Sequence, residues 1–459
     1  MMSSVSATAE LQPHRLSVVR KVGFTIGDYG FNLYWQSVSL FLMFYYTDAI
    51  GLSATTAGLI YMAASIFDGV IDPIMGAFAD RTRTRWGRYR PYILWGTVPL
   101  ALSFAALYYK PGLDAFGITA VVCATHLLFR VCYTIGSIPY ISLTARVTSS
   151  SSERSTIAGF RMTFANLAGM TVAYSTQPLV QYFGAGDQAR GFFYVACVLA
   201  IIASCTFPIV FLSTREPPAA HDEPIPRLRD YWVTLRHNRA FWIVVIGVLG
   251  GSVATTTLSK TVIYYFKYFL DAEESARYAL TAKTGLAILI VASWVYVTRF
   301  IGKRHAWFVT TAWGCVGLAW FYVADVSTVL AATTFFVLMH VCSVGIHLTY
   351  WSMLPDTVEY GEWRTGVRAE SLVFGFAIFC QKTALGLAAG LLGVALDFVG
   401  FVPNVEQTPQ TLHGMKMIII LLPVAGMALA AAAMYFYPLR PGVHEKIVAD
   451  LAARRDPVR

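Results

Sequence analysis

The chain has little charge for its length. Only 13% of its 459 residues are Asp, Glu, Lys or Arg, whereas 56% are hydrophobic and the mean hydropathy is +0.56. A soluble domain has roughly a quarter of its residues charged, so this deficit excludes an ordinary globular protein. It predicts a polytopic membrane protein, and an aromatic share of 14% is typical of many spans flanked by interfacial Tyr and Trp.

The sequence also lacks the signals of enzymes and of nucleic-acid-binding proteins. It contains no HExxH, no Cys/His metal spacing, no G-x-S-x-G and no phosphate-binding glycine loop. We therefore expect neither an enzyme nor an ATP-driven pump, and no cofactor other than a coupling ion. The formal net charge of +9 comes without a basic helix or finger pattern, so no nucleic-acid partner is expected.

Cysteine usage and the N-terminus point the same way. No cysteine stands in a polar loop or at metal-ligand spacing, which favours free thiols over a disulfide framework. All seven fall in apolar segments: Cys123, Cys132, Cys197, Cys205, Cys315, Cys342 and Cys380. The first residues are polar and carry no cleavable leader pattern, so the first span is expected to serve as the insertion signal.

Apolar runs of about 20 residues predict the helical spans. We predict twelve spans, six on each side of a polar linker that contains four prolines. The predicted spans are 24–47, 54–79, 92–109, 117–143, 156–182, 190–213, 240–269, 277–298, 306–323, 328–354, 370–399 and 414–437. The predicted organisation is a tail at 1–23, a six-helix bundle at 24–213, the linker at 214–239, a second bundle at 240–437 and a tail at 438–459.

Lys and Arg are concentrated in the tails and in alternate loops. The connection between the second and third predicted spans alone carries five arginines, and the opposite loops carry few basic residues. By the positive-inside rule, both termini are cytoplasmic. Six plus six helices with both ends inside predict an all-α membrane protein of the major facilitator superfamily fold. Its substrate site lies between the two halves near the membrane midplane.

Two carboxylates lie inside the second predicted span. Asp68 and Asp72 are spaced i, i+4 in a run that is otherwise almost wholly apolar, so both lie on one helix face. Acids there are costly unless they bind a cation, a proton or a positive side chain. The pair therefore indicates an ion site, and the alternative is an ion pair that packs helices.

Several long motifs carry a family resemblance. They are YYTDAIGLS (45–53), DGVIDPIMG (68–76), GAFADRTRTRWGRYRP (76–91), LPDTVEYGEWRTGVRAES (354–371) and GFVPNVEQT (400–408). Together they resemble the glycoside–pentoside–hexuronide:cation symporter family, whose best-known member is the melibiose permease. The resemblance spans nearly the whole chain.

The resemblance implies roles for residues of the ion site. Asp68 and Asp72 match its cation-binding carboxylates, and Thr134 matches a cation contact. Ser137 stands where melibiose-type members carry another acid. A site with one carboxylate fewer favours H⁺ over Na⁺ as the coupling ion. The alternative for the hydroxyls of Thr134 and Ser137 is a hydrogen bond to a carbonyl of their own helix. Lys382 matches a lysine opposite the aspartates and is expected to act as a tethered counter-ion that the cation displaces.

The resemblance also implies sugar contacts. It places Asn32, Arg161, His347 and Ile141 at substrate positions. Tyr133 is a further candidate substrate contact because it could line the same cavity, and packing or a lipid-facing position is its alternative. Asn32 replaces an Asp, while Ile141 and His347 replace two Trp. These losses argue against a galactoside such as melibiose. For Arg161, snorkelling to the membrane surface is the alternative.

Asp28 and the remaining basic residues add three expectations. Asp28 is expected to tie the first span to basic loop residues. Arg130 and Lys260 lie deep in predicted spans and are possible contacts for an anionic substrate, because cations outnumber acids in the presumptive cavity. A gating loop on the cytoplasmic side is expected to contain Asp80, Arg81, Arg85 and Arg88.

The sequence thus predicts a multi-pass protein of the plasma (inner) membrane, functional as a monomer. It imports a glycoside, pentoside or hexuronide, preferably an anionic sugar, with H⁺ or Na⁺ by alternating access. One alternative is a cation-coupled transporter of lysophospholipid or another amphipathic solute. A non-transporting membrane sugar sensor is the alternative from a different class. Membrane lipid is the only other partner expected.

Overall fold

The computed structural model describes residues 17–147, 151–216, 235–324, 326–367, 370–440 and 442–455. These residues form an all-helical protein, and no strand occurs among them. Most of the predicted tail at 1–23 and most of the linker at 214–239 lie outside the described residues.

The first set of helices covers the N-terminal half. Two of them begin at a serine cap: Ser17 and Ser53 each accept a hydrogen bond from a backbone N–H group of the first turn. The first helix, with its π-helical extension, ends at Gly51, whose φ is 89°. The elements are α1 (Val18–Phe44) with a π-helical extension (Tyr45–Ile50), α2 (Ala54–Arg81), α3 (Arg90–Trp95), α4 (Thr97–Leu107), α5 (Ala115–Val147), α6 (Ser151–Gly184) and α7 (Gln188–Ser213).

The second set covers the C-terminal half. Its elements are α8 (Arg239–Tyr268), a 3₁₀ turn (Glu273–Ser275), α9 (Ala276–Val323), α10 (Val329–Thr365), α11 (Glu370–Phe398), α12 (Pro409–Tyr435) and α13 (Val443–Arg455). Helix α9 contains two predicted spans, 277–298 and 306–323, which join through a kink at Gly302. The φ of 76° there is a conformation that suits glycine.

Eight helices of the described chain are long and apolar enough to cross a membrane: α2, α5, α7, α8, α9, α10, α11 and α12, where α9 is counted together with its preceding 3₁₀ turn. Three predicted segments differ from the structure. The third span divides near Gly96 into α3 and α4. The tenth extends beyond residue 354 to Thr365, and the predicted C-terminal tail contains helix α13.

The two sets meet mainly along α2 and α11 and along α6 and α9. Helices α2 and α11 approach closely at one end, where a Cβ on Gly393 would lie 2.2 Å from the carbonyl oxygen of Ala54. Asp397 accepts hydrogen bonds there from the backbone N–H groups of Ala54 (3.0 Å) and Thr55 (2.8 Å), so α11 caps α2. This contact holds the acid-bearing helix of one set against the other set.

Candidate functional site

A cavity of about 920 Å³ lies between the two sets of helices. Apolar, aromatic and polar side chains from both sets line it, which is typical of a small-molecule site. The polar and aromatic residues of its wall are Trp35, Gln36, Ser39, Tyr61, Ser65, Asp68, Arg130, Asn166, Ser252, Thr255, Thr256, Ser259, Lys260, Lys283, Thr284, Phe336, His340, Ser343, His347, Tyr350, Trp351, Gln381 and Lys382.

The two acids of α2 lie together beside this cavity, and Asp68 forms part of its wall. Asp68 is 1% exposed and Asp72 is 9% exposed, one helical turn apart. The Thr134 hydroxyl of α5 is 3.0 Å from an oxygen of each carboxylate. Because a hydroxyl carries one hydrogen, Thr134 donates to one acid at a time, and its lone pairs stay available for a cation. Ser137, one turn further along α5, is also buried.

Lys382 of α11 joins this acid pair from the opposite set of helices. Its Nζ lies 2.8 Å from Oδ2 of Asp68 and donates a short hydrogen bond to Oδ2 of Asp72. Arg130 of α5 adds a second cation, with Nη1 3.4 Å from Oδ2 of Asp68. We call Asp68, Asp72, Lys382 and Arg130 the four-charge cluster; its formal charges sum to zero.

Arg130 is fixed by further contacts. It is 1% exposed, its Nε donates to Nε2 of His126 at 3.3 Å, and its guanidinium lies 5.4 Å from the centre of the Trp35 ring. The other ring nitrogen of His126 is 3.1 Å from the Tyr46 hydroxyl. The charge of Arg130 is thus opposed by Asp68. The position of its guanidinium is fixed by side chains of α1 and α5, without any ligand.

Asp28 was expected to bind basic loop residues, and this prediction is wrong. Arg161, which lies on α6 and not in a loop, binds Asp28 through two contacts, Nε–Oδ2 at 2.8 Å and Nη2–Oδ1 at 3.0 Å. Tyr140 donates to the same carboxylate at 2.5 Å, and Arg161 also donates to Thr144 at 2.9 Å. A two-point pair of this kind is geometrically specific. It occupies the guanidinium that the resemblance assigned to sugar.

The other predicted sugar contacts are divided. Ile141 and His347 line the cavity, and His347 accepts a hydrogen bond of 3.0 Å from Trp351. Asn32 instead donates to the carbonyl of Asp28 in its own helix at 2.8 Å. Tyr133 packs against the Trp35 and Phe31 rings. Sugar binding by these five residues stays a prediction.

The expected gating loop is held within the N-terminal set. Asp80 accepts a hydrogen bond of 2.6 Å from Tyr89, and Glu216, just after α7, accepts from the backbone N–H groups of Arg88 (2.8 Å) and Tyr89 (3.0 Å). The Arg85 guanidinium lies over the ring of Trp86. Arg81 is exposed at the end of α2. A gating role for this loop stays a prediction.

Among the basic residues of the cavity wall, sequence reasoning missed two, Lys283 on α9 and His340 on α10. The signal for Lys283 was present, because it is a charged residue in the predicted span 277–298 and intramembrane charges mark functional sites. His340 stands seven residues, about two turns, before His347 and so shares its helix face.

Comparisons with known proteins give the family. The model of the family described as MFS/sugar transport protein matches residues 23–440. The isoprimeverose transporter of Lactiplantibacillus pentosus is 30% identical over 441 residues, which cover 94% of this chain and 90% of that protein. The glucuronide carrier protein homolog of Escherichia coli (strain K12) is 29% identical over 442 residues, 95% of each chain.

Solved structures agree on the fold. A bacterial homolog of the human lysosomal transporter Spinster, crystallised in an inward-facing and unoccupied conformation, aligns over 95% of this chain and 99% of its own with a TM-score of 0.70. At 12% identity this likeness shows the fold alone. The chain therefore belongs to the MFS/sugar transport protein family and is a multi-pass membrane transporter of the plasma membrane, not an enzyme.

Proposed function

We propose that this protein is a symporter that couples the import of a glycoside, pentoside or hexuronide to H⁺ or Na⁺ by alternating access. The observation that carries the proposal is the contact of Lys382 with Asp68 and Asp72. A cationic group of one set of helices thus contacts the paired acids of the other set, beside a cavity of sugar size. The relatives named for isoprimeverose and glucuronide support a sugar as the solute.

The four-charge cluster explains how an ion takes part. Two carboxylates and two cations balance without any bound ion. A proton or Na⁺ brings one further positive charge, so it binds in competition with Lys382 for the carboxylate oxygens. Displacing Lys382 breaks the ionic contact between α2 and α11, where the two sets of helices meet. The ion therefore acts on the interface whose opening exposes the cavity to one side or the other.

Oxygen ligands are what remain once Lys382 has moved. Asp68, Asp72 and Thr134 supply carboxylate and hydroxyl oxygens, which suit a hard cation. With Ser137 in place of a third acid, the site carries less negative charge. We therefore propose H⁺ as the coupling ion, and Na⁺ as the alternative. The cavity and the cluster are built from one chain, which fits a monomer as the transporting unit.

Contacts between the two sets indicate which state this structure represents. At the end where α1 finishes, Lys267 binds Asp48 at 2.7 Å, and Asn404 donates to the carbonyl of Asp48 at 2.6 Å. At the opposite end, the described ion pairs stay within one set, as Lys303–Asp356 does at 2.7 Å. Because the closed end is the one predicted to face away from the cytoplasm, we assign an inward-open state.

The test uses purified protein in vesicles with no imposed gradient. A panel of neutral glycosides, hexuronides and sulfonated sugars is added, and external pH is recorded with and without Na⁺. Alkalinisation caused by one sugar, lost in Asp72→Asn and kept in Lys416→Gln, is the result expected for proton symport. Lys416 is a matched control because it lies outside the cavity and bonds the carbonyl of Tyr322.

Other outcomes separate the alternatives. Sugar uptake that requires Na⁺ and leaves pH unchanged would assign sodium. If folded protein takes up none of the sugars and the external pH does not change, the proposal is contradicted. That result would favour lysophospholipid or another amphipathic solute. Sugar binding without flux in either direction would indicate a sensor.

A further inference from the structure

Two lysines of the cavity wall have no acidic partner among the residues that the structure describes. Lys260 on α8 is 5% exposed and Lys283 on α9 is 7% exposed, and both face the cavity. The other cations near the cavity are matched: Arg130 by Asp68, and Lys382 by the two aspartates of the cluster. Both unmatched lysines are therefore carried by α8 and α9, although the Lys260 amine reaches across the cavity to α1 and α2.

Neutral groups hold both amines in place. Lys260 donates to the carbonyl oxygen of Ser39 at 3.2 Å, and its Nζ lies 3.8 Å from the centre of the Tyr61 ring. Lys283 donates to the hydroxyl of Ser259 at 3.0 Å. Each ammonium has three hydrogens to donate, so each keeps donor capacity beyond these contacts. The contacts orient the amines but do not balance their charges.

The surroundings increase the demand for an anion. Lys260 and Lys283 carry like charges in the wall of one cavity and repel each other, and Arg130 of the four-charge cluster adds repulsion on Lys260. A buried charge is costly when it has no counter-charge, and two such charges beside each other are more costly still. A ligand that brings a negative group between them offsets both costs, whereas a neutral ligand offsets neither.

We propose that Lys260 and Lys283 form a subsite for a carboxylate or sulfonate group on the transported sugar. The inference rests on the proposed function, since it names the chemical class of substrate for the same cavity. The four-charge cluster stays reserved for the coupling ion, because its own charges already balance. Trp35 and Trp351 also line the cavity, and aromatic side chains can pack against a sugar. The negative group of the substrate then lies between the Lys260 and Lys283 amines.

The experiment compares matched sugars that differ in one charge. Counterflow, which exchanges labelled and unlabelled sugar without net ion movement, is measured for methyl glucuronide against methyl glucoside and for sulfoquinovose against glucose. The proteins are the wild type, Lys283→Gln, Lys283→Arg, Lys260→Gln and the control Lys416→Gln. Binding of the same sugars to the purified proteins is measured by calorimetry, which separates affinity from turnover.

We expect the wild type to prefer at least one anionic sugar over its neutral partner. Lys283→Gln and Lys260→Gln should each weaken that sugar about tenfold or more, the effect of losing one buried charged contact. They should change the neutral sugar far less, and Lys283→Arg should retain much of the preference. The carboxylate and sulfonate pairs show which of the two anions the subsite accepts.

Distinct results would overturn this inference without touching the proposed function. A wild type that exchanges a neutral sugar best, or Gln variants that weaken neutral and anionic sugars equally, would show that the lysines are not an anion subsite. If no sugar in either pair binds or exchanges in folded wild-type protein, the proposed function fails and the subsite fails with it. If the Gln variants do not fold, Lys283→Arg decides: a folded Lys283→Arg that has lost the preference for the anionic sugar contradicts the inference, and one that keeps it supports the inference.

Discussion

Replacing Lys382 with Gln tests the coupling hypothesis most directly. In the structure, the charges of Asp68 and Asp72 are balanced by Lys382 and Arg130. A bound H⁺ or Na⁺ would give the cluster one excess positive charge, so loading has to displace Lys382 from at least one carboxylate. Without this lysine, the coupling ion has no tethered competitor for those oxygens.

The size of the effect follows from the contact distances. Lys382 Nζ lies 2.8 Å from Asp68 and contacts Asp72 as well. At an effective dielectric constant of roughly 20, one such pair attracts by about 6 kcal/mol, and the desolvation of buried charges offsets much of this. Loss of one partner of a buried pair costs about 3–5 kcal/mol. A cation that replaces the amine recovers that energy, so cation affinity should rise roughly a hundredfold or more.

The assay is cation-dependent sugar binding by purified protein in nanodiscs. Binding is titrated against pH without Na⁺, and against Na⁺ at fixed pH, for wild type, Lys382→Gln and the control Lys416→Gln. The midpoint for the coupling ion should shift to lower ion concentration only in Lys382→Gln. In vesicles, that variant should still exchange sugar. It should fail to accumulate sugar when an inward ion gradient is imposed, because the bound ion is released too slowly into the vesicle lumen.

An unchanged midpoint together with normal accumulation in Lys382→Gln would refute this reasoning. Loss of all sugar binding would contradict it as well, because it would make Lys382 a ligand of the sugar and not a competitor of the ion. Lys382→Arg separates charge from shape: it keeps the positive charge, so its midpoint should lie nearer that of the wild type.

Three further predictions follow from other contacts. Asp72→Asn should abolish ion-driven accumulation but not sugar exchange, measured in the same vesicles; equal loss of both fluxes would contradict this. Asp28→Asn should cost about 3 kcal/mol, because it leaves Arg161 without its carboxylate. Thermal unfolding should show that adding Arg161→Gln to Asp28→Asn restores part of the stability. A further loss of stability in the double variant would contradict this prediction. Asp48→Asn should release Lys267 and populate an outward-open state, seen as longer distances between spin labels at that end; unchanged distances would disprove it.

The sequence was most informative where a residue violated the pattern of its own segment. Asp68 and Asp72 could be located from two acids in an apolar run, because helix periodicity alone puts them on one face. The same rule applied to Lys283, which sequence reasoning passed over although it stands in an equally apolar run. The position of Lys283 in a cavity wall was therefore predictable from the sequence.

Contacts between side chains on helices far apart in the sequence could not be predicted in this way. Nothing local to Asp28 shows that Arg161 and Tyr140 converge on it from two other helices. The resemblance placed Arg161 near sugar, but a buried Asp within reach forms the stronger contact. Lys382 was placed opposite the aspartates through resemblance, since its own flanks show only that it is buried in an apolar run.

Hydropathy also placed the end of the tenth span too early. The segment after residue 354 is polar, yet α10 continues to Thr365. Its acids are held by tertiary contacts: Lys303 binds Asp356 at 2.7 Å, and His444 of α13 lies 2.5 Å from Glu359. A polar helix end of this kind is stabilised by partners from other elements, which a window along one segment does not see.

The position of the charges explains why one cavity can couple two solutes. The ion cluster joins α2 to α11, and the unmatched lysines lie on α8 and α9, so ion and sugar act on the C-terminal set through different helices. An ion alone frees Lys382 and leaves Lys260 and Lys283 unmatched. An anionic sugar alone offsets those two lysines but leaves Lys382 bound to Asp68 and Asp72, so the ionic contact between α2 and α11 stays in place. The doubly loaded protein has both an anion beside the lysines and a released α2–α11 contact. Coupling then follows from charge balance, without direct contact between the two solutes.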